Sequence, residues 1–94
     1  MTPVNLTEKL AQINTHWDPH VVADYNGNDV MVVKFQGEFP FHVHEDTDDF
    51  FLVLKGEMIM DLEGTSHPVK TGEVFIVPKG VTHRPRAEHQ CEVL

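Results

Sequence analysis

The chain has 94 residues, a formal net charge of -8 and 40% hydrophobic residues, and it contains no run approaching the ~20 apolar residues of a membrane span. Its seven Lys and Arg residues are scattered apart from Arg84 and Arg86, which gives a phosphate backbone little to grip, so neither a nucleic-acid partner nor a membrane is expected. Cys91 stands alone and cannot form an internal disulfide, and no charged and apolar leader opens the chain, so a cytoplasmic protein is expected.

A chain of this size buries only about two-thirds of its unfolded surface, so a bound metal or a partner subunit would help it. In chain order, Asn5-Leu6-Thr7-Glu8 has the pattern of a capping box, and Leu6, Leu10 and Ile13 recur at helical spacing. A short helix over residues 6–14 is predicted, with Trp17-Asp18-Pro19 as its break. Beyond it only strands and turns are predicted: His20 to Tyr25, an Asn26-Gly27 turn, Val30 to Phe35, Phe41 to His44, Phe50 to Lys55 and Glu57 to Leu62. A Glu63-Gly64 turn, Ser66 to Val69, Glu73 to Val77 and Arg86 to Leu94 complete the pattern, and the final strand reads as though it continues past Leu94. Short strands at this spacing indicate an all-β sandwich or barrel over residues 20–94, and no linker divides residues 1–94, so one domain is expected.

Chemistry is concentrated in three stretches. Side chains two apart on a strand share a face, so His42 and His44 point the same way unless they are merely two surface histidines. The acidic loop Glu45 to Asp49 returns a carboxylate toward them, and His83 follows the turn Pro78-Lys79-Gly80. Imidazole nitrogens with a carboxylate oxygen suit a divalent cation such as Fe(II), Mn(II), Ni(II) or Zn(II).

Written out, the stretches are Gly37-x4-His42-x-His44-x4-Asp49-x6-Gly56 and Gly72-x5-Pro78-x-Gly80-x2-His83. This pattern resembles the cupin superfamily over roughly Gly37 to His83. The resemblance implies a small antiparallel double-stranded β-helix, or jelly-roll barrel, with one mononuclear divalent metal held by His42, His44, Asp49 and His83. Asp49 stands where cupins usually carry Glu, the first Gly-to-His gap is one residue shorter than usual, and Ala87 stands where an Asn often ends the second motif. A three-histidine site with Asp49 bound weakly or through water is a variant of the same arrangement. His16, His20, His67 and His89 lie outside the motifs and are read as exposed or loop histidines.

Alternation assigns the remaining faces. If Asp49 faces the metal, Phe51 and Val53 point inward and Phe50, Leu52 and Leu54 outward, an apolar patch that implies a homodimer unless a segment of the same chain covers it. Met58, Met60 and Leu62 alternate with Glu57, Ile59 and Asp61, so that strand is expected to face solvent on one side. Arg84 and Arg86 are expected outward as solvated edge charges, while Phe39, Phe41, Phe51, Met58, Met60 and Phe75 are candidates for an apolar pocket or for plain core. No catalytic acid or base is assigned, Glu57 and Asp48 reading equally as surface carboxylates. Three functions remain open: a metal-dependent enzyme (oxygenase, isomerase or lyase) acting on a small oxygen-rich molecule, a non-catalytic module binding a small ligand, or an apo scaffold.

Overall fold

Asn26 and Gly27 adopt φ values of 52° and 77°, the two positive values of a type I′ hairpin turn. The turn joins β1 (His20–Tyr25) to β2 (Asn28–Glu38), with Tyr25 directly opposite Asn28. Because the loop is this tight, β2 starts two residues earlier than the apolar run suggests, and it continues past Phe35 by pairing with the last strand. In a computed structural model describing residues 1–94, these are followed by β3 (Asp49–Lys55), β4 (Glu57–Leu62), β5 (Thr65–Lys70), β6 (Val74–Val77) and β7 (His83–Val93). One helix, α1 (Leu6–Ala11), precedes them.

The strands pair antiparallel in the order β1-β2-β7-β3-β6, with β4 joining β7 and β5. The chain is thus an all-β antiparallel barrel with one short N-terminal helix, the architecture expected from the sequence. β7 is the hub, because its first residues pair with β4 and its later ones with β2 and β3. This pairing starts β7 at His83 instead of Arg86, so His83 is a strand residue opposite Leu62 and not a residue stranded beyond a turn.

Alternation places Phe51, Val53, Met58, Met60, Val77, Ala87, Cys91 and Val93 in one buried cluster. Gly56 closes the β3–β4 connection with φ of 95°, and a Cβ there would come within 3.2 Å of the Gln90 carbonyl oxygen and 3.3 Å of Cys91 Cα. Both the backbone conformation and the close strand demand glycine.

Helix α1 is capped as the sequence suggests, with Asn5 Oδ1 accepting from the Glu8 backbone N–H at 3.0 Å. It ends at Ala11, earlier than the predicted 14, after which the Ile13 N–H bonds to the Leu10 carbonyl. Leu10 and Ile13 still bury themselves against Val32, with Leu54 packed on the same cluster. The helix therefore covers one end of the β3 outer face and leaves Phe50 half exposed.

Three further expectations need correction. Phe41 to His44 is not a strand: Pro40 lacks the N–H that would extend the ladder, and only His42 makes a bridge, to His83. Arg84 and Arg86 do leave the barrel interior, yet they are not free solvated charges. Asp61, 4% exposed, accepts from Arg84 Nη2 at 2.8 Å, Arg86 Nε at 2.8 Å and Ser66 Oγ at 2.6 Å. Asp61, expected on a solvent face, is instead the buried centre of an ion-pair cluster joining β4, β5 and β7.

Candidate metal centre

His42 and His83 exchange two backbone hydrogen bonds, His42 N–H to the His83 carbonyl at 3.0 Å and His83 N–H to the His42 carbonyl at 2.9 Å. Residues paired this way across an antiparallel bridge project to the same side, and the two rings lie 4.3 Å apart. His44 is fixed by a different contact, its carbonyl accepting from the Gly80 N–H at 2.7 Å. That bond ties the histidine loop to the Pro78–Gly80 turn. Asp48, whose side chain points away from the cluster, accepts from the Lys79 N–H at 2.9 Å and braces the same turn. Asp49 opens β3 opposite Val77.

The four side chains His42, His44, Asp49 and His83 converge with one ligand-type atom each, all within 4.8 Å of one another. Nδ1 of His42 lies 2.9 Å from the Pro40 carbonyl oxygen, and Nδ1 of His83 lies 2.9 Å from the Val81 carbonyl oxygen. A carbonyl oxygen only accepts, so each Nδ1 carries the proton and donates, which leaves each neutral ring an Nε2 lone pair. Such bonds from the far ring nitrogen are the means by which proteins orient histidine ligands.

Electrostatics gives a direct test of fit. Asp49 Oδ2 lies 3.1 Å from His83 Nε2 and 3.3 Å from His44 Nε2. With its Nδ1 protonated, a neutral His83 turns a lone pair toward a carboxylate oxygen, and His83 is only 1% exposed. Two facing lone pairs repel unless a proton or a metal cation lies between them. The donor set therefore fits a divalent metal bound through imidazole nitrogen and carboxylate oxygen.

Beside the cluster lies a cavity of about 250 Å³, walled at one end by His42, His44 and Asp49 and elsewhere mostly by apolar side chains. Phe39 and Phe51 of the expected pocket residues line it. Met58 and Met60 are buried in the core instead, Phe75 packs against it, and half-exposed Phe41 lies under the Arg84 guanidinium at 4.5 Å. Trp17 and Phe35, which the sequence did not mark for a pocket, also line it, as does Phe50, which alternation placed on the outward face. Trp17 was legible only as part of a helix break; its side chain reaches the cavity through a backbone turn at φ 61° that no periodicity announces. A larger polar groove of about 600 Å³, between Lys70 and His89, contains none of the four cluster residues. His16, His20 and His67 engage Gln90, Asp18 and Thr65 respectively and stay outside the cluster, as does exposed His89.

A family model for the cupin domain matches residues 29–94, and the protein belongs to the cupin family. A crystal structure of a cupin-2 domain containing protein from Shewanella frigidimarina NCIMB 400 is 36% identical with a TM-score of 0.94, over 96% of this chain and 88% of that one. Protein YdbB of Bacillus subtilis (strain 168), uncharacterized, is 34% identical over 67 residues, 70% of this chain and 59% of YdbB. Quercetin 2,3-dioxygenase of the same organism is 36% identical over 50 residues, which are 53% of this chain but 15% of the dioxygenase. The match thus covers less than two thirds of either curated relative. No helix is long and apolar enough to cross a membrane.

Proposed function

We propose that this protein is a single-domain cupin, over residues 1–94, that binds one divalent transition metal through His42, His44, Asp49 and His83 and acts with it on a small molecule. The observation that carries this reading is the convergence of one ligand-type atom from each of the four side chains within 4.8 Å, with Asp49 Oδ2 3.1 Å from His83 Nε2 and 3.3 Å from His44 Nε2. Pro40 and Val81 carbonyls hold two imidazoles in the metal-binding tautomer. Fe, Mn, Ni and Zn all accept this donor set. When bound, the metal supplies Lewis-acid polarisation of an oxygen ligand, or redox chemistry if it is iron or manganese.

Enzymatic turnover, in the oxygenase, isomerase or lyase class, is the first form of the proposal. Quercetin 2,3-dioxygenase among the relatives supports it. A second form, non-catalytic binding of a small ligand, draws on a specific observation: the cavity wall carries no titratable side chain besides the cluster itself. Any reaction must then proceed without a separate protein acid or base. A homodimer, with one apolar β3–β6 face from each copy, completes the proposal.

Calorimetric titration of metal-free protein with Mn(II), Ni(II) and Zn(II) tests the site. One equivalent is expected to bind. Replacing residues that merely orient ligands costs about 10–100-fold in metal affinity, so His42→Ala or His83→Ala should exceed that loss and Asp49→Ala, if its carboxylate binds weakly or through water, should fall within it. Full metal binding by a His42→Ala, His44→Ala double variant would sink the assignment.

A further inference from the structure

The cavity beside the histidine cluster has an aromatic wall. Trp17 stacks on Phe35 with ring centroids 4.4 Å apart and 21° between planes, and Phe39 stands 5.2 Å from Trp17 and 5.1 Å from the His42 ring. These rings and Phe51 make an aromatic wall that ends at His42, His44 and Asp49. Flat aromatic surfaces prefer offset or edge contacts with another ring.

Trp17 is held there against its backbone preference. A bulky residue at φ 61° is a true conformational outlier, and such positions persist only where surrounding contacts over-determine them. Two contacts do so: the Trp17 N–H donates to the Lys34 carbonyl at 2.9 Å, and indole Nε1–H donates to the Gln36 carbonyl at 2.9 Å. The indole is thereby fixed as a wall, with its only N–H already used.

Charge narrows the ligand further. None of the seven Lys and Arg side chains lines the cavity, and Asp49 is the one acidic side chain that does. Arg84 and Arg86, the nearest in sequence to His83, are committed to Asp61 on the other side of β7. A small dianion would meet a metal but no second cation, inside a chain of net charge -8. Size is compatible with a ring, because an enclosed cavity of about 150 Å³ accepts benzene and this solvent-open one offers about 250 Å³.

We infer that the ligand is a single-ring aromatic compound carrying two adjacent oxygen donors, with the oxygens on the metal and the ring against Trp17 and Phe39. This rests on the metal assignment above and on a six-coordinate ion whose two positions left by the four protein donors are adjacent, as a chelate requires.

The chain has one tryptophan, so its fluorescence reports directly on this wall. Mn(II)-loaded protein, kept anaerobic, is titrated with catechol, with resorcinol, whose oxygens cannot chelate, and with oxalate, which chelates without a ring. Saturable quenching by catechol is expected, with an affinity at least about tenfold above the other two, a difference of ~1.4 kcal/mol. By calorimetry, Trp17→Leu, which keeps bulk but loses the ring, and Phe39→Leu should each bind catechol more weakly while retaining one equivalent of Mn(II) and unchanged oxalate affinity. Oxalate binding as tightly as catechol, or both variants binding catechol like the parent, would overturn the inference and leave the metal assignment standing. Failure of the parent to load Mn(II) or any other divalent metal would overturn both.

Discussion

Asp49 Oδ2 faces two imidazole nitrogens, and this one atom shows why donor type was readable in the sequence while donor geometry was not. Histidine spacing and the Pro78–Gly80 turn pointed to His42, His44, Asp49 and His83, and the structure brings those four side chains together. The mode of convergence differs from strand alternation. His42 is aimed by a single bridge to His83, and His44 by a carbonyl bond to Gly80, neither of which has a sequence period. Cys91 makes a prediction at the same scale. Burial first, then the nearby Glu92 and Glu57 charges, push its thiol up to about 11 from the ordinary 9.0. The neutral thiol is therefore favoured in the folded state. This contribution to stability is whole below pH 9.0 and is lost as pH rises through about 11. Native Cys91 should resist iodoacetamide at about pH 8, where a thiolate is needed for attack, and react readily once unfolded. Equal labelling rates with and without denaturant, followed by mass spectrometry, would contradict this.

Among the elements, the strand boundaries followed from turns and apolar alternation, so β1 and β4 match their predicted limits. The exceptions have local causes. Pro40 stops the histidine segment from becoming a strand, and pairing with β4 pulls the start of β7 back to His83. The Asp61 cluster was invisible because alternation marks a face as outward without saying what will cover it. Here the two guanidiniums of β7 cover the carboxylate of β4. Its hydrogen bond to Arg86, with those to Ser66 and Arg84, holds the Asp61 carboxyl well below its usual 3.8 against the opposing effect of burial. A depressed folded value contributes stability that is whole above the unfolded value and is lost as pH falls through the folded one. Asp61→Asn should therefore lower the melting temperature at neutral pH by several degrees, and the gap between parent and variant should narrow below about pH 4. A gap that is absent at pH 7 or unchanged down to pH 2 in thermal melts would show that the cluster does not couple β4 to β7.

For the whole molecule, one outward face remains uncovered. Phe50 pairs with Ile76, and Leu52 with Val74, across β3 and β6. Phe50, Ile76 and Val74 are 50%, 45% and 52% exposed, while α1 screens only the Leu54 end. An apolar face of this kind is the surface a second copy would cover. Light scattering on the eluting protein should give twice the mass of one chain, and Ile76→Asp should give a monomer with its fold intact. A monomeric parent would remove the dimer from the proposal. The barrel itself was legible because short strands, tight turns and inward alternation agree. The aromatic cavity was not, because it is assembled from Trp17, β2 and the β3 entrance, which only the closed fold brings together.

The measurement closest to the central claim is elemental analysis of protein purified without an affinity tag or added metal, beside His83→Ala prepared identically. About one equivalent of Fe, Mn, Ni or Zn in the parent and its loss in the variant is the expected result. No metal in the parent, or equal occupancy in both proteins, would contradict a metal centre built on His42, His44, Asp49 and His83.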